Sequence, residues 1–313
     1  MFFRHLLLML RMVRSPFLLA SALACLLGWA CAYLGGSPWQ LGSALASLFL
    51  AMALHAAANV INDVADAQNG GDAINQEAIA PFSGGAGLLQ KGEVTLAQTR
   101  RLAAALLLLV LVGGLALAAY SGWGLLLYGA AGVLLAWGYS APPLQLMNRG
   151  VGELAVAAAW VLMVAGADFV QRGSFAWQPV VLGLSYALLM ANVLLMNGVP
   201  DAKADAQVGK YTLVVRLGAR RTLGLYLGIA LCAHALALAL GWYLGLAQAQ
   251  LWGLCFLPLG SLPLSLLAAF GLWRAQAFGL RAVLRGAMAY SIAAALLHAV
   301  LWALSLFLFA MFK

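Results

Sequence analysis

The chain has 313 residues, of which 65% are hydrophobic and only 8% charged, with a formal net charge of +8. Soluble domains carry about 25% charged residues, so this composition, with a mean hydropathy of +0.97, excludes an ordinary soluble protein and points to the lipid bilayer. The basic excess does not mark a nucleic-acid binder, because the Lys and Arg residues are dispersed over loops beside apolar segments, where they set topology and meet anionic headgroups.

Residues 1–15 read as a basic amphipathic lead-in lying at the membrane interface; Arg11 and Arg14 interrupt the apolar run that a cleaved leader would need. Nine apolar stretches follow, at about 16–36, 39–61, 101–120, 122–140, 151–170, 177–198, 222–245, 250–273 and 286–311. Each approaches the roughly 20 residues of a spanning helix, the fourth being the shortest. With the N-terminus in the cytoplasm, nine spans place 15 of the 17 basic residues on the cytoplasmic side and only Arg172 and Lys313 outside, as the retention of Lys and Arg in cytoplasmic loops requires. The predicted fold is all-α: one domain over 1–313, nine transmembrane helices around a central cavity. Cys25, Cys31, Cys232 and Cys255 lie in apolar segments without the spacing of a zinc site or a secreted disulfide framework.

Two predicted cytoplasmic loops are long, about 62–100 and 199–221, and both begin with acids. Seven of the nine acidic residues fall there: Asp63, Asp66, Asp72, Glu77 and Glu93 in the first, Asp201 and Asp205 in the second. Residues at i, i+4 and i+7 share one side of a helix, so Asn59, Asp63 and Asp66 form one polar stripe, and Asn197, Asp201 and Asp205 form another. Clustered carboxylates repel unless a cation sits between them. Magnesium suits them, being a hard ion that takes carboxylate oxygens on one side and phosphate oxygens on the other. Lys203, Lys210, Arg216, Arg14 and Arg149 lie on the same membrane side, and metal with Lys and Arg is the arrangement that neutralises a diphosphate leaving group. Asp72 and the asparagine amides complete the surroundings, and the glycines at 70–71 and 84–87 offer backbone amides to phosphate.

Elsewhere the structural reading is favoured. Asp168 and Arg172, at i and i+4, make an ion pair near the outer end of the fifth span. His55, His234 and His298 sit singly in apolar helices as packed or hydrogen-bonded side chains, and Trp and Tyr near span ends are interfacial anchors.

These residues resemble the UbiA superfamily of intramembrane aromatic prenyltransferases, and within it the branch that prenylates 1,4-dihydroxy-2-naphthoate in menaquinone synthesis. The first motif, N-x-x-N-D-x-x-D-x5-D, is matched by Asn59, Asn62, Asp63, Asp66 and Asp72. Q-K-G-x-V-T is matched by Gln90 to Thr95, including Lys91, and the long second motif runs from Asn197 through Lys210 and Arg216 to Gly218. Arg14 precedes the first span as in the family, and Tyr139-Ser140-x-Pro142-Pro143, followed by Arg149-Gly150-x-Gly152-Glu153, resembles its loop between the fourth and fifth helices. Gln145 and Met147 stand where many relatives have lysine, which leaves Arg149 as the cation of that loop.

The resemblance implies magnesium at Asp63, Asp66, Asp201 and Asp205, which are also the catalytic residues. Arg14, Asn59, Asn62, Asp72, Lys91, Tyr139, Arg149, Asn197, Lys210 and Arg216 are the substrate-binding residues. The partners it implies are an isoprenyl diphosphate, an aromatic acceptor and the bilayer of a bacterial inner membrane, with the site facing the cytoplasm and no protein partner. A 4-hydroxybenzoate-like acceptor is the nearest alternative, although that branch spaces its first motif D-x3-D-x3-D. A lipid phosphotransferase of the CDP-alcohol type would need a D-G-x-x-A-R run that this chain lacks. A cation- or proton-coupled transporter would hold its acids near the midplane rather than at one face.

Overall fold

The structure, a computed structural model, describes residues 2–247 and 251–312, with side chains over 7–245 and 251–312. Gln250, at the start of the eighth predicted span, and Lys313, one of the two basic residues assigned outside, lie beyond the described residues. Within them every regular element is a helix. The order is α1 (Phe2–Met12), a 3-10 turn at Ser15–Phe17, α2 (Leu18–Leu34), α3 (Leu41–Asn69), α4 (Gly71–Ile74), α5 (Leu96–Ser121) and α6 (Leu125–Gly138). There follow α7 (Gly152–Arg172), α8 (Gln178–Asn197), α9 (Ala202–Gln207), α10 (Leu213–Ala247), α11 (Trp252–Cys255), α12 (Leu262–Phe278) and α13 (Arg281–Met311).

Eight helical segments among the described residues are long and apolar enough to cross a membrane, one of them running Trp252–Phe278 through α11 and α12. They match eight of the nine predicted stretches. The remaining stretch is α6, whose 14 residues rise only about 21 Å at 1.5 Å per residue, short of a hydrocarbon core of about 30 Å. Large apolar side chains such as Leu108, Leu111, Val112, Leu127 and Leu134 are more than half exposed, as a lipid-facing surface requires.

The core gathers residues of α2, α7, α8, α10 and α13, in which Ala24, Ala30, Ala187, Ala233, Ala295 and Ala299 are fully buried. Small side chains let helix backbones approach where lipid gives no hydrophobic drive for association. On the other side α3 packs against α5 and α6, and α6 against α7. Two loops cross one end of this bundle, residues 70–95 and 198–212. The first ends where Thr95 caps α5, accepting from the Gln98 backbone N–H while the Gln98 side chain accepts from Thr95. The threonine of the Q-K-G-x-V-T motif therefore starts a helix.

One sequence expectation changes here. The stripe Asn197, Asp201, Asp205 does not ride on one continuous helix: α8 stops at Asn197, and α9 begins only after Asp201. Gly198 and Pro200 account for the break, since proline cannot donate the hydrogen bond that would carry the helix on. Gly198 and Asp201 nevertheless keep right-handed backbone angles, and Asn197, Asp201 and Asp205 still line one cavity.

Candidate active site

Asp63 and Asp66 lie on the last two turns of α3, 7% and 6% exposed. Arg14 reaches Asp63 from the turn between α1 and α2, forming an ion pair. To do so it takes a left-handed backbone (φ 52°, ψ 52°), which costs an L-residue roughly 1–2 kcal/mol. Lys210, in the loop before α10, bridges the two acidic segments: its Nζ lies 2.9 Å from Asp66 Oδ1 and 3.4 Å from Asp205 Oδ1. Asn75 Nδ2 donates to Asp201 Oδ1 at 2.6 Å, and Gln90 Nε2 to Asp72 Oδ2 at 3.1 Å. The glycine-rich turn between them presses close to the acids. A Cβ on Gly85, whose φ is +64°, would stand 2.5 Å from Asp72 Oδ2 and 3.2 Å from Asp63 Oδ1.

Five carboxylates thus face two cations, and the imbalance shows in their protonation. Burial, with repulsion from Asp66 and Asp63, pushes the Asp72 carboxyl up to about 7. Burial lifts Asp205 to about 6 against the pull of Lys210, and raises Asp201 although Asn75 opposes it. Arg14 and Lys210 move the other way: burial disfavours their charge, but the neighbouring aspartates outweigh it and hold both above their ordinary values. An all-carboxylate donor set with surplus negative charge fits a hard divalent cation. As the side chains stand, no group of three such ligands among the described residues converges on one point, and Arg14, Lys210, Asn75 and Gln90 each hold a carboxylate oxygen.

These groups surround a polar cavity of about 140 Å³. Beside it an apolar cavity of about 900 Å³ runs between α3, α5, α6, α7 and α8. Arg14, Asn62, Phe82, Tyr139, Leu194 and Asn197 line both, so the two spaces share a wall. Leu111 and Leu134, 59% and 56% exposed, also line the apolar cavity, which therefore reaches the lipid-facing surface between α5 and α6.

Most of the residues singled out from sequence meet here. Arg14, Asn62, Asp66, Asp72, Tyr139, Asn197, Asp201, Asp205 and Lys210 line the polar cavity, Asp63 lines an adjoining recess with Asp72, and Asn59 lines the apolar cavity. Asn59 Nδ2 also donates to the Val13 carbonyl at 3.1 Å, which steadies the turn carrying Arg14. Lys91, Arg149 and Arg216 are exposed and line neither cavity. Arg149 Nη2 donates to the Pro143 carbonyl at 2.7 Å and Arg216 Nε to the Tyr211 carbonyl at 3.0 Å. Met147 is buried in the cavity wall with Asn62 Nδ2 3.4 Å from its sulfur.

Asn75, Gln90, Ser83 and Glu153 are not among the site residues that the sequence singles out. Gln90 has a signal, the Q-K-G run, but a neutral amide facing Asp72 carries none of the charge that makes the other residues stand out.

A helical membrane bundle in which a carboxylate-rich polar cavity adjoins a large apolar one defines a protein built for a charged headgroup on a long apolar tail. The chain belongs to the UbiA prenyltransferase family, whose model matches residues 18–279, and is thereby an enzyme that transfers prenyl groups. It is 31% identical over 243 residues to a 1,4-dihydroxy-2-naphthoate octaprenyltransferase of Mycobacterium tuberculosis, covering 77% of each chain. It is 30% identical to the Escherichia coli protein of that name, over 56% of this chain and 57% of that one. The match to the Mycobacterium leprae counterpart spans 44% of that protein. Among solved structures, a UbiA homologue from Archaeoglobus fulgidus bound to DMAPP and Mg2+ superimposes with a TM-score of 0.59 at 19% identity, over 91% of this chain and 98% of that one. An apo homologue from Aeropyrum pernix gives 0.61 at 18%, over 91% and 96%. At these identities the likeness is one of fold.

Proposed function

We propose that this protein transfers an isoprenyl group from a prenyl diphosphate to an aromatic acceptor in a magnesium-dependent reaction, with 1,4-dihydroxy-2-naphthoate, the menaquinone precursor, as the acceptor. The observation that carries the reading is the shared wall between the two cavities. A diphosphate in the polar cavity and its tail in the apolar one set the allylic carbon, which joins head to tail, beside Tyr139, Asn62 and Asn197. The names of the M. tuberculosis and E. coli relatives support the naphthoate acceptor.

Asp63, Asp66, Asp201 and Asp205 would hold magnesium, and bound there it would neutralise charge on the departing diphosphate. Arg14 and Lys210, now on Asp63, Asp66 and Asp205, line the same cavity and would meet phosphate oxygens there, with magnesium supplying the charge that the carboxylates need. The apolar cavity binds the tail, each buried CH₂ contributing about 0.8 kcal/mol, and its walls keep water from the allylic cation. With nine spans, α6 being the short one, and the N-terminus inside, the site would face the cytoplasm at a bacterial inner membrane, a reading supported by the Lys and Arg residues of the connecting loops.

The test is purified protein with magnesium, a radiolabelled long-chain prenyl diphosphate and a panel of aromatic acids that includes 4-hydroxybenzoate. Prenylated dihydroxynaphthoate is the expected product. Absence of both product and diphosphate release with every acceptor would refute the enzyme reading, and a product from 4-hydroxybenzoate alone would reassign the acceptor. Asp63→Ala and Asp201→Ala are each expected to abolish turnover while the protein still accumulates in the membrane.

A further inference from the structure

The polar cavity contains one carboxylate that neither metal nor diphosphate accounts for. Glu153, the second residue of α7, is 7% exposed and lines the cavity. Among the described residues no other residue forms a hydrogen bond or ion pair with its carboxylate. An acid in the first turn of a helix is ordinary, because the helix dipole favours it; an acid so placed that lines a cavity and is bonded only by its own backbone N–H is not. Its neighbours complete a small site. A Cβ on Gly152 would stand 3.4 Å from the Tyr139 ring, an ordinary contact distance, so that ring lies against the start of α7, where Glu153 follows. Across the cavity the side-chain oxygen of Asn197 is buried and also lacks a partner. Tyr139 and Asn197 belong to the wall shared with the apolar cavity, next to which the proposed reaction sets the allylic carbon.

An aromatic side chain on the same cavity wall as a carboxylate and an amide oxygen that no other residue engages suits a hydroxylated ring. We propose that Glu153 binds a ring hydroxyl of the acceptor and takes its proton as the new carbon–carbon bond forms, with Tyr139 as the stacking surface. This rests on the prenyl-transfer reading above. The C–O bond of the prenyl diphosphate breaks and its electron pair leaves with the diphosphate. The ring carbon ortho to the hydroxyl supplies the pair for the new bond, and the hydroxyl proton passes to Glu153, so the ring becomes a neutral ketone instead of a cation. Where that carbon bears a carboxylate, the intermediate is a β-keto acid: it loses CO₂, the electron pair returns to the ring, and Glu153 gives the proton back to the oxygen. Where it bears hydrogen, that hydrogen leaves to water as a proton and Glu153 again returns its own.

Glu153→Gln and Glu153→Asp in the full chain, assayed with an ortho-hydroxy aromatic acid and with its O-methyl ether, test the assignment. General-base participation is worth 10²–10⁴-fold, so E153Q is expected to lose at least about 100-fold in kcat/KM for the hydroxy acid, with KM for prenyl diphosphate changed less than about threefold. The wild-type preference for hydroxyl over methoxy should collapse, and E153D should restore part of it. Unchanged turnover in E153Q, or an equal loss toward both substrates, would overturn the assignment and leave Glu153 a helix-end residue. If E153Q accumulates poorly, E153D must show the same split between the substrates or the assignment fails. Asp63→Asn separates the two readings: it should weaken prenyl diphosphate binding and leave the hydroxyl preference intact, whereas a wild-type protein inactive with every acceptor would defeat the prenyl-transfer reading itself.

Discussion

A single methyl group on Gly85 would enter the space between Asp72 and Asp63, at 2.5 and 3.2 Å from their oxygens. Gly87, two residues on, shares the left-handed backbone, with φ +68° against +64°, but meets nothing within 4 Å. The pair separates strain from obstruction. Gly87→Ala should cost about 1 kcal/mol of stability, as a Cβ at positive φ does, and leave magnesium binding unchanged. Gly85→Ala should add to this a fall of at least about tenfold in turnover, since a sub-ångström displacement of a positioned group is enough to lose that much. Thermal unfolding with and without magnesium, beside initial rates, checks both; equal behaviour of the two variants would mean that the turn does not shape the site. Arg14, with its own left-handed backbone, is likewise aimed by local geometry that no motif spells out.

At the scale of helices, the i and i+4 pair Asp168 and Arg172 reads directly off the sequence, and the structure gives it two bonds of 2.7 Å from Arg172 Nε and Nη2. Asp168 is 1% exposed and Arg172 17%, so Asp168→Ala strands a partly buried guanidinium. The expected cost is about 1–3 kcal/mol in thermal unfolding, below that of a fully buried pair because water still reaches the arginine. Asp168→Ala with Arg172→Ala should cost less than the single change, and catalysis should be spared in both. Such pairs are legible because helical spacing fixes them. His234 and His298 show what is not: read from sequence as packed or hydrogen-bonded side chains but with no partner named, they bracket Ser261 Oγ at 2.9 and 3.0 Å, and His298 goes on to Ser185 at 3.2 Å. Those residues sit on different helices, and only tertiary packing joins them. The same limit explains the site. Asp63 and Asp66 were legible as a stripe because α3 runs unbroken to Asn69, whereas the partners from the loops, Asn75 and Gln90, depend on how residues 70–95 fold back across the bundle.

For the whole molecule, the raised carboxyls tie stability to pH. Asp72 near 7 and Asp205 near 6 hold protons more tightly in the folded state than their unfolded counterparts near 3.9. The stability they contribute is complete below that unfolded value and is lost as pH rises through 6 and 7. A divalent cation needs Asp205 ionised and favours the ionised form of Asp72 beside it, so magnesium should raise the unfolding temperature little at pH 5.5 and progressively more up to pH 8. A magnesium effect that weakens over this interval would show that these acids do not face the metal. The two adjoining cavities, one charged and one opening between α5 and α6, also give the turnover cycle a direction. On the proposed reading the substrate is gripped at both ends, by its anionic head and by its tail. Transfer severs the two, and the product keeps the tail but has exchanged its multiply charged head for a ring. From that moment the basic side chains and the metal of the polar half would have no multiply charged head to hold, and the remaining path of least resistance would be sideways into the membrane: the chemistry itself would unlatch what it has made.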